Sequence, residues 1–195
     1  MVEMVLENMA ERYTEDQQLI HRIAKGSDSA LADLYTRFGS RLYAYALRIL
    51  GNQVLAEDVL QDTLLTVWEK AHSYRGKGRV LAWLLRIVHN KCMRTFRTRE
   101  TVPLEDINPG ADPQAQPVEG KLIHSERSQL LQEGLQELSV EHRTVLELVF
   151  YHQMSLKETA RICGIPEGTV KSRLKYAKDS LRGTLSRQGL SLEDL

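Results

Sequence analysis

The sequence predicts an all-α protein made of two small helical domains joined by a flexible linker. Three observations carry this expectation. Apolar residues recur at spacings of three and four along most of the chain, as amphipathic helices require. Period-two alternation rich in β-branched residues is absent, so no sheet is expected. Four of the five prolines (Pro103, Pro109, Pro113 and Pro117) fall within Thr101–Gly120, together with Gly110, Gly120 and several acids. That composition suits an exposed tether.

The elements follow in order. Thr14 and Gln17 have the spacing of a capping box that opens a helix reaching about Lys25. Ser27-Asp28-Ser29 starts a longer helix, with Leu31, Leu34, Tyr35, Phe38, Leu42, Tyr45 and Ile49 at helical spacing and an end near Gly51-Asn52. A third helix is expected from about Leu55 to Ala71, then a short loop over Ser73–Gly78, then a fourth helix from about Arg79 to Arg99. Beyond the prolines come Leu122–Leu138, His142–Tyr151, and a compact pair, Leu156–Cys163 and Pro166–Arg182. The expected domains are therefore 14–99 and 122–187, with a linker over 100–121. A chain of 195 residues has room for two such small domains. About 20 linker residues reach ~70 Å when extended.

The formal net charge is zero, but its distribution is uneven. From Arg75 to Arg99 there are eight basic residues and no acid. From Thr101 to His142 there are eight acids against Lys121 and Arg127, and from Ser155 to Arg187 eight basic residues against three acids. Two basic blocks around an acidic stretch point to two sites for a polyanion. Cys92 and Cys163 lie in different expected domains, so no disulfide is expected, and reduced thiols fit the cytoplasm. His89 and Cys92 could share one helix face, but two ligands without a second pair make a poor metal site. The first 13 residues have no basic stretch followed by an apolar core, and no apolar run approaches the ~20 residues a bilayer requires.

The segment Ser155–Leu174 has the shape of a helix-turn-helix. Ala160 is small where two helices approach, Gly164 permits the left-handed conformation that ends the first helix, and Pro166 suits the start of the second. Val170, Leu174, Ala177 and Leu181 should face inward, leaving Lys171, Ser172, Lys175 and Lys178 outward. Such a face can enter the major groove; a solvated cationic face on a helical hairpin is the plainer account. In the third helix, Leu60, Leu64, Val67, Trp68 and Ala71 make an apolar side, opposite Asp58, Gln61, Asp62, Leu65 and Glu69. On spacing alone that opposite side reads first as a solvated face and only second as a docking surface. The fourth helix has basic residues interleaved with Trp83 and Phe96, near Tyr74. Charge for a backbone and rings for bases suit a single strand, although Trp83, between Leu81 and Leu84, is expected in the core.

These segments resemble a known family. Glu167-Gly-Thr-Val-Lys-Ser-Arg-Leu174, preceded by Ser155-Leu-Lys-Glu-Thr-Ala160 and by Leu138…Glu141-His-Arg-Thr-Val-Leu146, is similar to region 4 of the extracytoplasmic-function (ECF, group 4) sigma factors of the sigma-70 family. Ala56-Glu-Asp-Val-Leu-Gln-Asp-Thr-Leu-Leu-Thr-Val-Trp68 resembles their region 2.2. Tyr74-Arg-Gly76 and Ala82-Trp-Leu-Leu-Arg-Ile-Val-His-Asn90 resemble the promoter-facing half of region 2. The resemblance covers roughly residues 14–187. It implies that Asp58, Gln61 and Asp62, with Leu65 beside them, dock on the β′ clamp helices of core RNA polymerase, and that the β subunit is a second contact. It implies a minus-ten reader in the loop Ser73–Arg79, with Tyr74, Arg75 and Lys77, and on the fourth helix at Asn90, flanked by Arg86 and Arg94. It implies a minus-thirty-five reader at Lys171, Ser172 and Lys175, with Arg161 and Arg173 off that face and suited to phosphates. Promoter DNA, duplex and single-stranded, and an anti-sigma factor are the further partners implied. Departures from the family pattern are Asp62 for glutamate, Val80 for phenylalanine, Thr159 for isoleucine and Ser139 for proline.

The resemblance makes the chain an alternative sigma factor that promotes DNA opening by capturing an extruded base, without covalent chemistry. No catalytic residue, cofactor, metal or small-molecule substrate is expected. Two other classes compete. A non-sigma helix-turn-helix transcription regulator would bind duplex DNA without polymerase, and the acid-free fourth helix argues against it. A nucleic-acid enzyme would need a ligand cluster, a nucleophile–base pair or a phosphate-cradling loop, and none is visible.

Overall fold

The computed structural model describes residues 14–101, 135 and 137–187. The expected linker, beyond its first two residues, and most of the helix expected over 122–138 lie outside the described residues. The chain divides into two compact units, Met1–Asp112 and Pro113–Leu195. Among the described residues there is no strand.

In the first unit, α1 (14–24) contains Thr14 within the helix rather than at its cap. Gly26, at φ 82°, turns the chain, and the Ser27 side chain accepts from Ala30 N–H to start α2 (Asp28–Leu50). α2 ends where Gly51 enters the left-handed region and its N–H reaches the Leu47 carbonyl. Asn52 then caps α3 (Gln53–Lys70) by accepting from Leu55 N–H at 2.9 Å, two residues before the expected start. A 3₁₀ turn, Ala71–Ser73, leads to the loop and then to α4 (Val80–Thr101).

These helices bury one face each. Ile20 and Ile23 come from α1, Leu34, Phe38, Leu42, Tyr45 and Ile49 from α2, Ala56, Val59, Leu60 and Val67 from α3, and Leu81, Leu84, Leu85, Val88 and Cys92 from α4. Tyr35 shares the expected spacing but is about half exposed, its ring lying over Gly39 one turn on. Arg37 ties α2 to α1 through Glu15 at 2.9 Å and Asp16 at 2.8 Å. Inside the core, the Tyr45 hydroxyl and His89 Nδ1 lie 3.0 Å apart.

In the second unit, Ser139, the residue standing where the family has proline, caps α5 (Val140–Leu146) by accepting from His142 N–H at 3.4 Å, and its Oγ lies 2.8 Å from His142 Nδ1. The helix does not continue regularly to Tyr151 as expected. It widens into a π-helical turn, Glu147–Tyr151, in which His152 N–H reaches the Glu147 carbonyl five residues back. α6 (Leu156–Cys163) opens with a capping box: the Ser155 hydroxyl accepts from Glu158 N–H while Glu158 accepts from Ser155 N–H at 2.9 Å. Gly164 (φ 68°) ends it, and Pro166, accepting from Thr169 and Val170, precedes α7 (Glu167–Arg187). Val170, Ala177 and Leu181 of α7 are buried, and Leu138, Leu146 and Ala177 share a core.

Candidate polymerase and nucleic-acid interfaces

Three faces emerge from this packing. On α3, Asp58, Gln61, Asp62, Leu65 and Glu69 are all exposed and fall within about 100° of one another at 3.6 residues per turn. Leu65 is 62% exposed, an apolar side chain set among acids. Ala56, Val59, Leu60, Thr63 and Val67 anchor the opposite side. Trp68, expected on the apolar side, lies at its edge and is 37% exposed. Asp62 is also engaged from the neighbouring helix: Lys91 Nζ of α4 lies 3.3 Å from its Oδ2.

On α4, Arg86, Asn90, Arg94 and Arg97 are exposed, and with half-buried Trp83 they occupy a stripe about 80° wide. The stripe holds no carboxylate. Trp83 is not a core residue as expected; its ring meets that of Tyr74 at 5.3 Å. The Tyr74 hydroxyl donates to the Gly78 carbonyl at 2.8 Å, and Arg75 and Lys77 project from the same loop. The structure therefore brings Tyr74 to the head of the stripe carrying Arg86, Asn90 and Arg94. Residues not singled out from sequence join it. Gln17 of α1 donates to the Gly76 carbonyl at 3.1 Å. Arg41 of α2 lies near Arg79; burial, then the Arg79 charge, lowers its guanidinium from the ordinary range. No spacing rule signals either contact, since both join a helix to a loop distant in sequence.

On α7, Lys171, Ser172, Lys175 and Lys178 are exposed as expected. Lys171 Nζ lies 3.7 Å from Glu167 one turn earlier, and the Ser172 hydroxyl donates to the Thr169 carbonyl at 3.0 Å, which leaves its oxygen free to accept. Arg161 is exposed on α6. Arg173 stands apart: it is half-buried, and its charge acts on Glu141 of α5 and Cys163 of α6. Glu141 is held below the ordinary carboxylate range first by its own backbone N–H, then by Ser139, with Arg173 adding to the effect.

The pair His89 and Cys92 is committed to packing. His89 is pushed down to about 4 and the Cys92 thiol up to about 12, each by burial. Both cysteines are free thiols. Among the described residues no group of three His, Cys, Asp or Glu side chains could hold a metal, and no helix is long and apolar enough to cross a membrane.

Comparison with known proteins fits this geometry. Residues 34–101 match the Sigma-70 region 2 family model, and residues 134–183 match Sigma-70, region 4. The ECF RNA polymerase sigma factor SigL of Mycobacterium tuberculosis is 37% identical over 163 residues, which is 81% of this chain and 90% of the relative. The chain belongs to the ECF sigma factors. SigM of M. tuberculosis is 34% identical to this sigma factor over 85% of the chain and 82% of the relative. Among solved structures, RpoE of Bartonella quintana, in complex with the anti-sigma factor NepR, matches with a TM-score of 0.63 and 26% identity over 79% of this chain and 97% of that one. CnrH, bound to the cytosolic domain of CnrY, shares the fold at a TM-score of 0.65 and 23% identity, over 88% of this chain and 97% of that one. This sigma factor is a transcription-initiation factor, which answers the alternative of a non-sigma regulator.

Proposed function

We propose that this sigma factor performs initiation through the three faces described above, each with its own chemistry. Asp58, Gln61, Asp62 and Leu65 bind core RNA polymerase at the β′ clamp helices. An acidic surface carrying one exposed leucine offers both charge to a basic partner and an apolar anchor. Tyr74, Arg75, Lys77, Arg86, Asn90 and Arg94 take the non-template strand of the minus-ten element. Cations track its phosphates, Tyr74 and Trp83 offer aromatic surface, and Asn90 hydrogen-bonds a base edge. Lys171, Ser172 and Lys175 read the minus-thirty-five duplex in the major groove, with Arg161 and Arg173 nearer its phosphates.

The single observation that carries this reading is the α4 stripe. Four exposed polar or basic side chains and a ring, with no acid, are aligned beside a loop rich in glycine and basic residues. Holding an extruded base shifts the equilibrium of duplex opening without any bond being made. The assignment extends to residues 14–99 as the polymerase- and minus-ten-binding domain, 100–121 as a tether and 122–187 as the minus-thirty-five domain. It also extends to the β subunit as a further contact, to an anti-sigma factor as the regulator, and to the cytoplasm as the compartment. The complex of the RpoE relative with an anti-sigma factor supports the regulatory partner.

The experiment is reconstitution. Core polymerase mixed with this chain should give transcripts from specific start sites on a genomic template, and core alone should not. Transcripts independent of the added chain would overturn the reading.

A further inference from the structure

The loop of residues 74–79 is exposed over most of its length, and Gly76 (φ 66°) and Gly78 (φ 89°) hold angles that L side chains rarely adopt. Ordering such a loop costs conformational entropy at every residue, so a fixed shape needs anchors. Two are local. The Tyr74 hydroxyl closes on the Gly78 carbonyl, and the Tyr74 ring leans on Trp83. The third comes from 59 residues away, where the Gln17 amide nitrogen donates to the carbonyl of Gly76 at 3.1 Å.

Gln17 is itself well seated. Its neighbour Asp16 is paired with Arg37 at 2.8 Å, and Ile20, one turn on, is buried. The side chain is half-buried. It therefore holds the middle of the loop from a helix fixed in the core, and it does so without charge.

We propose that Gln17 is a positioning residue for promoter opening: from α1 it holds the 74–79 loop in the shape that receives the unpaired strand. This rests on the assignment of that loop to the minus-ten reader. Only molecules whose loop already has the receptive shape capture an extruded base, and apparent affinity scales with their fraction. Because Gln17 carries no charge, losing it lowers selective binding and leaves phosphate attraction unchanged.

The test uses the full chain assembled with core polymerase. The probe is a fluorescent single-stranded oligonucleotide selected from a random pool by the wild-type holoenzyme. Gln17→Met keeps the length and removes the donor; Gln17→Ala is the second variant. Each should bind the selected oligonucleotide roughly three- to tenfold more weakly, the range expected for one neutral hydrogen bond. Affinity for a scrambled oligonucleotide, the salt dependence of binding and affinity for core should stay at wild-type values, and amide exchange at residues 75–78 should quicken. Wild-type selectivity in both Gln17 variants, with selectivity lost in Asn90→Ala, would overturn the role of Gln17 and leave the loop assignment standing. Wild-type selectivity in Asn90→Ala as well would overturn that assignment and this proposal with it. An equal loss on selected and scrambled probes would also overturn it, since positioning acts on selectivity alone.

Discussion

Lys91 reaches from α4 to Asp62 on α3, its Nζ 3.3 Å from Oδ2, and so joins the acidic face of one helix to the flank of the helix carrying Asn90. The two ends are unequal: the Asp62 side chain is 66% exposed, the Lys91 side chain only 24%. The carboxylate is thus open to solvent, while the Lys91 side chain is largely covered. Ion pairs with an exposed member contribute about 0–1 kcal/mol, so this one has little weight in stability.

A first prediction follows for the α3 face. Replacing Asp58 and Gln61 together with alanine should leave helicity and melting nearly unchanged, within about 0.5 kcal/mol per substitution, yet lower affinity for core polymerase. Asp62→Asn should add to that loss, whereas Lys91→Ala should not. Titration of fluorescent protein with core enzyme measures this, and wild-type affinity in the Asp58/Gln61 variant would sink the assignment.

A second concerns acid. His89 is buried against Tyr45 with its ionisation pushed down to about 4, by burial, from an ordinary value of 6.5. Between those values the unfolded chain binds a proton that the native core does not, so stability is full above pH 6.5 and is lost as pH falls toward 4. The loss from this one group is at most about 3 kcal/mol. In His89→Asn, which can still meet the Tyr45 hydroxyl, urea midpoints should fall less steeply over that window. Parallel curves for the two proteins would exclude His89 as the cause.

Thr159 supplies the third. The family's usual isoleucine is replaced here by a side chain that is wholly buried, and its hydroxyl has no hydrogen-bond partner among the described residues. A buried hydroxyl without a partner costs about 1–3 kcal/mol. Thr159→Val should therefore raise the melting temperature of the second unit. No change, or a fall, would mean that the hydroxyl is satisfied in solution.

The fourth separates two kinds of DNA contact. Lys171→Ala or Lys175→Ala should relax preference within the upstream promoter element, each good base contact being worth about 1–3 kcal/mol of discrimination. Arg161→Ala should weaken all sequences alike and flatten the salt dependence by about one unit. Binding of holoenzyme to upstream promoter variants across a salt series reads both. An unaltered preference in the lysine variants would remove them from the reading face.

Much of this fold is legible because its signals are local. Ser27 caps α2, Gly51 ends it and Gly164 breaks the C-terminal pair through chemistry complete within a few residues. The same locality explains the failures. Gln17 has the spacing of a capping box with Thr14, yet its amide is spent on Gly76, across the fold. Tyr35 follows the buried stripe by proximity to Leu34, but one residue is 100° of helix, and the ring emerges in solvent. Trp83 sits between two buried leucines and still turns toward Tyr74, because residues 81 and 84 lie about 160° and 100° around the helix from it. Arg173 is one residue from Ser172 and faces Glu141 instead of the exposed side. Side-chain partners between helices leave no periodic trace, and those partners set the loop and the Lys91 bridge.

The acid-bearing face of α3 and the acid-free stripe of α4 lie on adjacent helices of a chain whose formal charges sum to zero. Opposite charges separated across these two helices form a local dipole. The field of a charged surface turns such a dipole and, where the field varies with distance, also pulls on it. Near a surface of mixed sign the protein is rotated into register before contact, so orientation precedes capture.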